Sequence, residues 1–150
     1  MTQPYRHILV GTDGSDTATE AVRHAAVLAA ANGARLTVLS VFTDPHPGTG
    51  PDMAHLPDDL RWQVTGIAQA EETAQAGAHV AKGLGADAHP RVERGDPAEA
   101  IVKAVEVGNF DLVVVGSRGL SSPTRFLLGN VPDTVSHHVP CDIAIIHTAD

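Results

Sequence analysis

The chain is short of cysteine, aromatics, lysine and long apolar runs. Its one cysteine, Cys141, cannot close an internal disulfide, so a reducing, cytoplasmic setting is the expectation. One Trp, one Tyr and three Phe are too few for a base-stacking platform. Basic residues number 10 against 18 acidic ones, giving a formal net charge of −8, and only Lys82 and Lys103 are lysines. Such a chain is unsuited to wrapping nucleic acid, where affinity grows with the number of phosphates neutralised. No apolar run approaches the ~20 residues of a membrane helix, and the opening Met1–His7 does not predict a secretory signal. What is present is 150 residues, 43% hydrophobic and 19% charged. That predicts one globular domain, 1–150, whose core needs no metal or disulfide staples.

Short β-branched runs alternate with helical patterns. Ile8–Val10, Leu36–Val41, Leu112–Val115 and Ile143–Ile146 read as strands buried on both faces, and Ala88–Glu93 as a weaker one. Between Thr17 and Asn32, Ala18, Ala21, Val22, Ala25, Leu28 and Ala29 form a stripe at helical spacing. Thr17-x-x-Glu20 predicts a capping box at its start, His24 a contact with Glu20, and Asn32-Gly33 a left-handed stop. A second helix is predicted from about Arg61 to Lys82, ending at Gly83. A third starts at Asp96-Pro97-Ala98-Glu99, with Asp as N-cap and Pro in the first turn, and stops at Gly108. A short fourth spans roughly Val131 to His138. Strict alternation with helical crossovers predicts an α/β fold, a parallel sheet covered on both faces.

Asp44–Asp59 breaks the rhythm with four prolines and two glycines. It is too long for an ordinary connection, which leaves a functional lid or a disordered insert. It follows the second strand at its carboxyl end, where ligands of open α/β sheets bind.

The crevice of such a sheet forms where the strand order reverses, which directs attention to the loops after the first and fourth main strands. The first is Gly11-Thr12-Asp13-Gly14-Ser15. The second runs from Gly116 to Asn130 with the spacing Gly-x2-Gly-x9-Gly-Asn, and contains Arg118 and Arg125. Glycines let the backbone turn its N–H groups toward a ligand, and Gly129-Asn130 opens a helix whose N-terminus favours an anion. Two readings fit: a phosphate cradle made mostly of backbone, or a glycine-rich turn that only reverses the chain.

Other signals carry less. Gly83-Leu-Gly85-Ala-Asp-Ala88 follows a helix and precedes a strand, the reverse of a dinucleotide-binding context, so it reads as a helix stop. Neither lysine has the glycines of a phosphate-binding P-loop before it. Nine histidines are present, but His137 and His138 are adjacent and diverge by about 100° on a helix. No His-Glu-x-x-His and no Gly-x-Ser-x-Gly occurs. No metal and no catalytic residue is predicted. Asp13 is expected as a ligand contact or a loop-capping acid, Cys141 as a small buried packing residue, and Trp62 as a core or lid anchor.

Taken together, Ile8-Leu-Val-Gly-Thr-Asp-Gly-Ser15, Asp111-Leu-Val-Val-Val-Gly-Ser-Arg-Gly119, Leu127-Leu-Gly129 and His138-Val-Pro-Cys-Asp-Ile143 resemble the universal stress proteins of the UspA type. All three glycines of that family's nucleotide motif, Gly-x2-Gly-x9-Gly-(Ser/Thr), are matched. The resemblance implies one open five-stranded parallel sheet, Rossmann-like, in the order 3-2-1-4-5. It implies an adenine nucleotide as cofactor: ATP, AMP or cyclic AMP, with Mg only beside a triphosphate. Asp13 then meets ribose or base, Val41 offers backbone to adenine, and Gly116, Arg118, Gly119, Gly129 and Asn130 hold ribose and phosphates. Thr12 and Val131 complete the expected contact set.

Two departures bear on the ligand. Asn130 stands where the motif has a hydroxyl residue, and Pro132 lacks an N–H. Each lost donor is worth about 1.5–3 kcal/mol to a charged acceptor, so the terminal phosphates are expected to be poorly held. The expected function is a nucleotide-binding stress sensor or regulator that is not an enzyme. The alternatives are a slow ATP hydrolase using Asp13 and a nucleotide-independent interaction module. Val139–His147 reads as an edge strand with no lysine to guard it, which predicts pairing with a second copy, and the resemblance implies the same homodimer.

Overall fold

The computed structural model describes residues 4–42, 56–117 and 134–147, with backbone only over 56–65. Its elements are β1 (His7–Gly11), α1 (Asp16–Asn32), β2 (Arg35–Phe42), α2 (Leu56–Gly83), β3 (Asp87–Arg94), α3 (Pro97–Gly108), β4 (Leu112–Gly116) and β5 (Asp142–Ile146), and residues 134–138 are helical. The strands form one five-stranded sheet in the order β3-β2-β1-β4-β5, and every pairing is parallel. This is the parallel α/β sheet expected from the alternation, in the strand order that the resemblance implies.

The strand runs are apolar on both faces because both faces are covered. Ile8, Val10, Leu36, Val38, Leu112 and Val114 pack beneath α1 and α2, among Ala21, Val22, Ala25, Ala26, Ala29, Ala78 and Ala81. Leu9, Leu39, Val113 and Val115 face the other way, onto Ile101, Ala104 and Val105 of α3 and onto Val135. Alanines on the helix faces let the axes lie close to the sheet, while the larger strand residues fill the space between.

Several boundaries differ from the sequence reading. α1 begins at Asp16, not after Thr17: Ser15 is extended (φ −71°, ψ 164°), and its side chain accepts from Ala18 N. The predicted capping box is therefore replaced by a Ser15 cap, and Glu20 pairs with Arg23 at 2.9 Å rather than with His24. α2 begins at Leu56, five residues before the predicted start. Pro57 stands in its first turn, where a missing N–H costs no helical hydrogen bond. Residues 56–59 of the supposed lid are thus helical, and 44–55 lie outside the described residues. β5 is shorter than the predicted edge strand: Val139 N donates back to Val135 O at 3.0 Å, and Pro140 has no N–H to give.

Other local signals act as read. Gly33 ends α1 in the left-handed region (φ 66°). Asp96 caps α3 through Glu99 N at 3.1 Å, with Pro97 at its first position. Gly83–Gly85 stops α2, with Gly85 at φ 95° and Ala86 N bonded to Ala81 O at 3.1 Å. Among the described residues, no helix is long and apolar enough to cross a membrane.

Candidate functional site

The strand order places the reversal between β1 and β4. The chain moves outward from β1 to β2 to β3, then returns to lay β4 on the free side of β1, with Val10 opposite Val114. The loops leaving β1 and β4 therefore emerge side by side at the carboxyl end of the sheet. On the other flank of β1, Gly11 is opposite Leu39, so β2 ends beside the same opening. Thr12, Asp13, Val41 and Gly116 thus leave three adjacent strands at one end. Arg118, Gly119, Gly129, Asn130 and Val131 lie outside the described residues, as do Arg125 and Pro132.

The loop after β1 is folded by its own polar groups. Thr12 N donates to Leu39 O at 2.9 Å, which carries the β1–β2 ladder one residue past the strand. Thr12 Oγ1 accepts from Gly14 N at 3.1 Å, and Asp13 Oδ1 accepts from Ser15 N at 2.9 Å. Gly14 lies at φ 86°, where a side chain would be strained. Ser15 Oγ then takes Ala18 N at 3.2 Å, and Ser15 O receives both Thr19 N (2.9 Å) and Thr19 Oγ1 (2.8 Å). Four consecutive residues thus convert a strand into a helix whose N-terminus, the positive end of its dipole, opens at the crevice.

Asp13 is half-buried, and one of its oxygens caps the turn. Its other oxygen has no partner among the described residues. A carboxylate held this way is oriented by the backbone and keeps acceptor capacity for a hydroxyl or amine of a ligand. Val41 is half-buried against the α3-side core, and the end of β2 is pinned by Gly95 N to Phe42 O at 2.8 Å. Arg94 stacks over Phe42, 5.7 Å from its ring centre. The end of β4 is pinned likewise, by Ser117 N to Ile146 O at 2.7 Å. Rigid strand ends therefore carry the groups around the opening.

Among the described residues, no group of three or more His, Cys, Asp or Glu side chains converges to hold a metal. His137 and His138 are exposed, and the His138 Nδ1–H donates to Thr134 O at 2.8 Å. The groups with displaced titration sit at the opposite end of the sheet. Burial holds His7 below its ordinary value, with the Arg35 charge adding to it. A hydrogen bond to Asp142 raises Tyr5, and burial raises the Cys141 thiol. Cys141 packs against the α3-side core, but it is half-buried rather than buried as expected.

The sequence reading missed two residues of α2 that stand close to the β1 loop, Thr73 and Gly77, with little more than the space of a Cβ between them and it. A helix-to-loop contact across some 60 positions leaves no local pattern, although a glycine inside an alanine-rich helix is a signal of close approach.

The universal stress protein family model matches residues 4–147. Universal stress protein Rv1636 of Mycobacterium tuberculosis (strain H37Rv) is 37% identical over 147 residues, 96% of this chain and 97% of that one. A crystal structure of a universal stress protein in complex with cAMP superimposes with a TM-score of 0.70 at 32% identity, covering 98% of this chain and all (100%) of the other. Universal stress protein UspA from Lactobacillus plantarum superimposes with a TM-score of 0.80 at 28% identity, covering 97% and 99%. The order 3-2-1-4-5, the Gly-x2-Gly-x9-Gly spacing and these matches along nearly the whole chain agree: it belongs to the universal stress protein family.

Proposed function

We propose that the chain binds one adenine nucleotide at the carboxyl ends of β1, β2 and β4, and that it acts as a stress-linked sensor or regulator. The observation that carries this reading is the convergence of the Thr12–Ser15 turn and Gly116 at the reversal of strand order. The 32% identical relative in complex with cAMP supports it. In this reading the second oxygen of Asp13 receives a ribose or base donor, the Val41 backbone meets adenine, and Thr12 and Gly116 border the ligand. Arg118, Gly119, Gly129, Asn130 and Val131 supply the phosphate side on the strength of the motif alone.

Asn130 and Pro132 favour a ligand with few phosphates, so Mg enters only if a triphosphate binds. Titration calorimetry with AMP, cyclic AMP and ATP tests this. AMP or cyclic AMP is expected to bind at least as tightly as ATP, and clearly tighter ATP would overturn the phosphate part. If no adenine nucleotide raises the melting temperature, the nucleotide-independent module takes the place of the whole reading. A ligand at 100 times its Kd adds ~2.7 kcal/mol, well above detection.

A binding role is preferred to slow ATP hydrolysis because Asp13 already spends one oxygen on Ser15 N at 2.9 Å, as a turn-capping acid does. A cytoplasmic setting goes with this reading, on the single cysteine. The proposed partner besides the nucleotide is a second copy. β3 and β5 are the two edges of the sheet, and they differ. β3 carries Pro90 and the Arg91–Glu93 ion pair at 2.8 Å, whereas β5 exposes Ile145 at 49% with no charge after Asp142. An apolar edge favours pairing with another chain. Ile145→Lys is expected to give monomer in sedimentation velocity, and an unchanged dimer would refute β5 as the interface.

A further inference from the structure

α2 meets the loop after β1 at two points one turn apart. Gly77 sits where a side chain has no room: a Cβ there would lie 2.8 Å from Val38 Cγ1, 3.5 Å from Thr12 Cγ2 and 3.9 Å from Val22 Cγ2. Val38 and Val22 are fully buried, so neither has open space to move into. One turn earlier, Thr73 faces Gly14: a Cβ built on Gly14 would stand 3.4 Å from Thr73 Cγ2 and 3.5 Å from its Oγ1. Thr12 joins the two contacts. Its methyl lies toward Gly77, its hydroxyl accepts Gly14 N at 3.1 Å, and its own N–H holds Leu39 O at 2.9 Å.

We propose that Thr73 and Gly77 are positioning residues of the nucleotide site, fixing the height of the Thr12–Ser15 turn above the sheet and so aiming Asp13. The inference rests on the nucleotide reading above and adds a helix that this reading does not use. Residues four apart share one face of a helix, so any displacement of α2 away from Val38 opens both contacts together. The turn is tied within itself by the Thr12–Gly14 and Asp13–Ser15 hydrogen bonds. It therefore moves as a unit when its support moves, because close-packed interiors transmit small shifts.

The test uses the same substitution twice on the same helix. Gly77→Ala forces the 2.8 Å contact, whereas the Cβ of Gly66→Ala meets nothing within 4 Å among the described residues. Gly66→Ala is expected to leave AMP affinity unchanged. Gly77→Ala is expected to weaken AMP about tenfold, and ATP by the same factor, because the turn aims at the nucleoside and not the phosphates. Adding Val38→Ala makes space and is expected to restore most of the affinity, which general destabilisation would not do. In the ligand-free protein, the Gly14 and Ser15 amide resonances are expected to move in Gly77→Ala and return in the double variant. If Gly77→Ala does not fold, Thr73→Ser removes only the Cγ2 facing Gly14 and is expected to give a smaller change of the same kind. Unmoved amides, or unchanged affinity with moved amides, would overturn the inference. A wild type that binds no adenine nucleotide would instead overturn the reading on which it rests.

Discussion

At the amino ends of the strands, residues 5–7 are tied to parts of the chain far away in sequence. Asp111 accepts Arg6 N at 2.9 Å on one oxygen and His7 N at 3.1 Å on the other, across 105 and 104 positions. Tyr5 gives its N–H to Asn32 (3.2 Å) and its hydroxyl to Asp142 (2.8 Å), 27 and 137 positions away. His7 bonds Thr37 at 3.1 Å and lies over Phe110 with ring centres 3.9 Å apart. At the carboxyl ends, the side-chain hydrogen bonds of the Thr12–Ser15 turn reach only two to four residues, and the turn is tied to the sheet through backbone, by Thr12 N to Leu39 O at 2.9 Å. One end is a clasp between distant segments. The other is a turn whose side chains bond within it and whose first residue is tied to β2. The difference gives the first the larger part in stability, and on the proposed nucleotide reading it gives the second the ligand response, since a turn whose side chains bond locally can adjust without unlacing the strands.

The sharpest way to break this division is at Asp111. Its carboxylate satisfies two backbone N–H groups at once, and charge-assisted bonds of this kind contribute about 1.5–3 kcal/mol each. Its partly exposed position reduces that. Asp111→Ala is expected to lower the free energy of unfolding in urea by about 2–3 kcal/mol, with AMP affinity kept at temperatures where the variant is folded. A loss of affinity in the folded variant would show that the two ends are coupled. Asp13→Ala is the mirror experiment. The turn loses one hydrogen bond, worth about 0.5–1.5 kcal/mol, while AMP affinity measured by calorimetry is expected to fall about tenfold or more, or 1.4 kcal/mol. A stability loss as large as that of Asp111→Ala, with affinity intact, would reverse the assignment.

This contrast also explains what the sequence reveals. The carboxyl end is written in short-range chemistry, so Thr12, Asp13 and the glycines after β4 are visible as motifs. The alternation of buried runs and helical stripes gives the parallel sheet for the same reason. Where two local signals compete, the reading slips. Thr17-x-x-Glu20 fits a capping box, yet the Asp13-Gly14 turn leaves Ser15 extended and makes it the cap. Pro57 looks like a breaker, yet it sits in the first turn of α2, where it is tolerated. The clasp at the amino end is invisible in one sequence, because no local pattern joins Asp111 to Arg6, or Tyr5 to Asp142. Gly77 was open to reading only as an oddity, because Val38 and Thr12 meet it through tertiary packing.

The finest probe of the division is pH. His7 faces Thr37 of β2, the Gly108 carbonyl at the end of α3, the Phe110 ring beyond it, the Asp111 carboxylate, and the charges of Arg35 and His89. Burial first, and Arg35 next, hold its titration below that of the unfolded chain; Asp111 and the Gly108 carbonyl pull the other way. The folded state therefore binds a proton at His7 less readily than the unfolded state does. The contribution of His7 to stability is complete above about pH 6.5, the ordinary histidine value. It declines as pH falls through that value toward the depressed folded one. His7→Gln removes this titration, so urea unfolding between pH 7.5 and 5.5 is expected to show a shallower acid decline for the variant than for the wild type. The difference should be smaller than the effect of Asp111→Ala, because His7 is only partly buried. Among the described residues, clasp and turn share no polar side-chain contact, so AMP affinity is expected to show no His7-dependent change over the same range. Parallel acid limbs for the two proteins would mean that the His7 ring does not titrate against the clasp. Any acid sensitivity of the amino end would then come from groups other than His7.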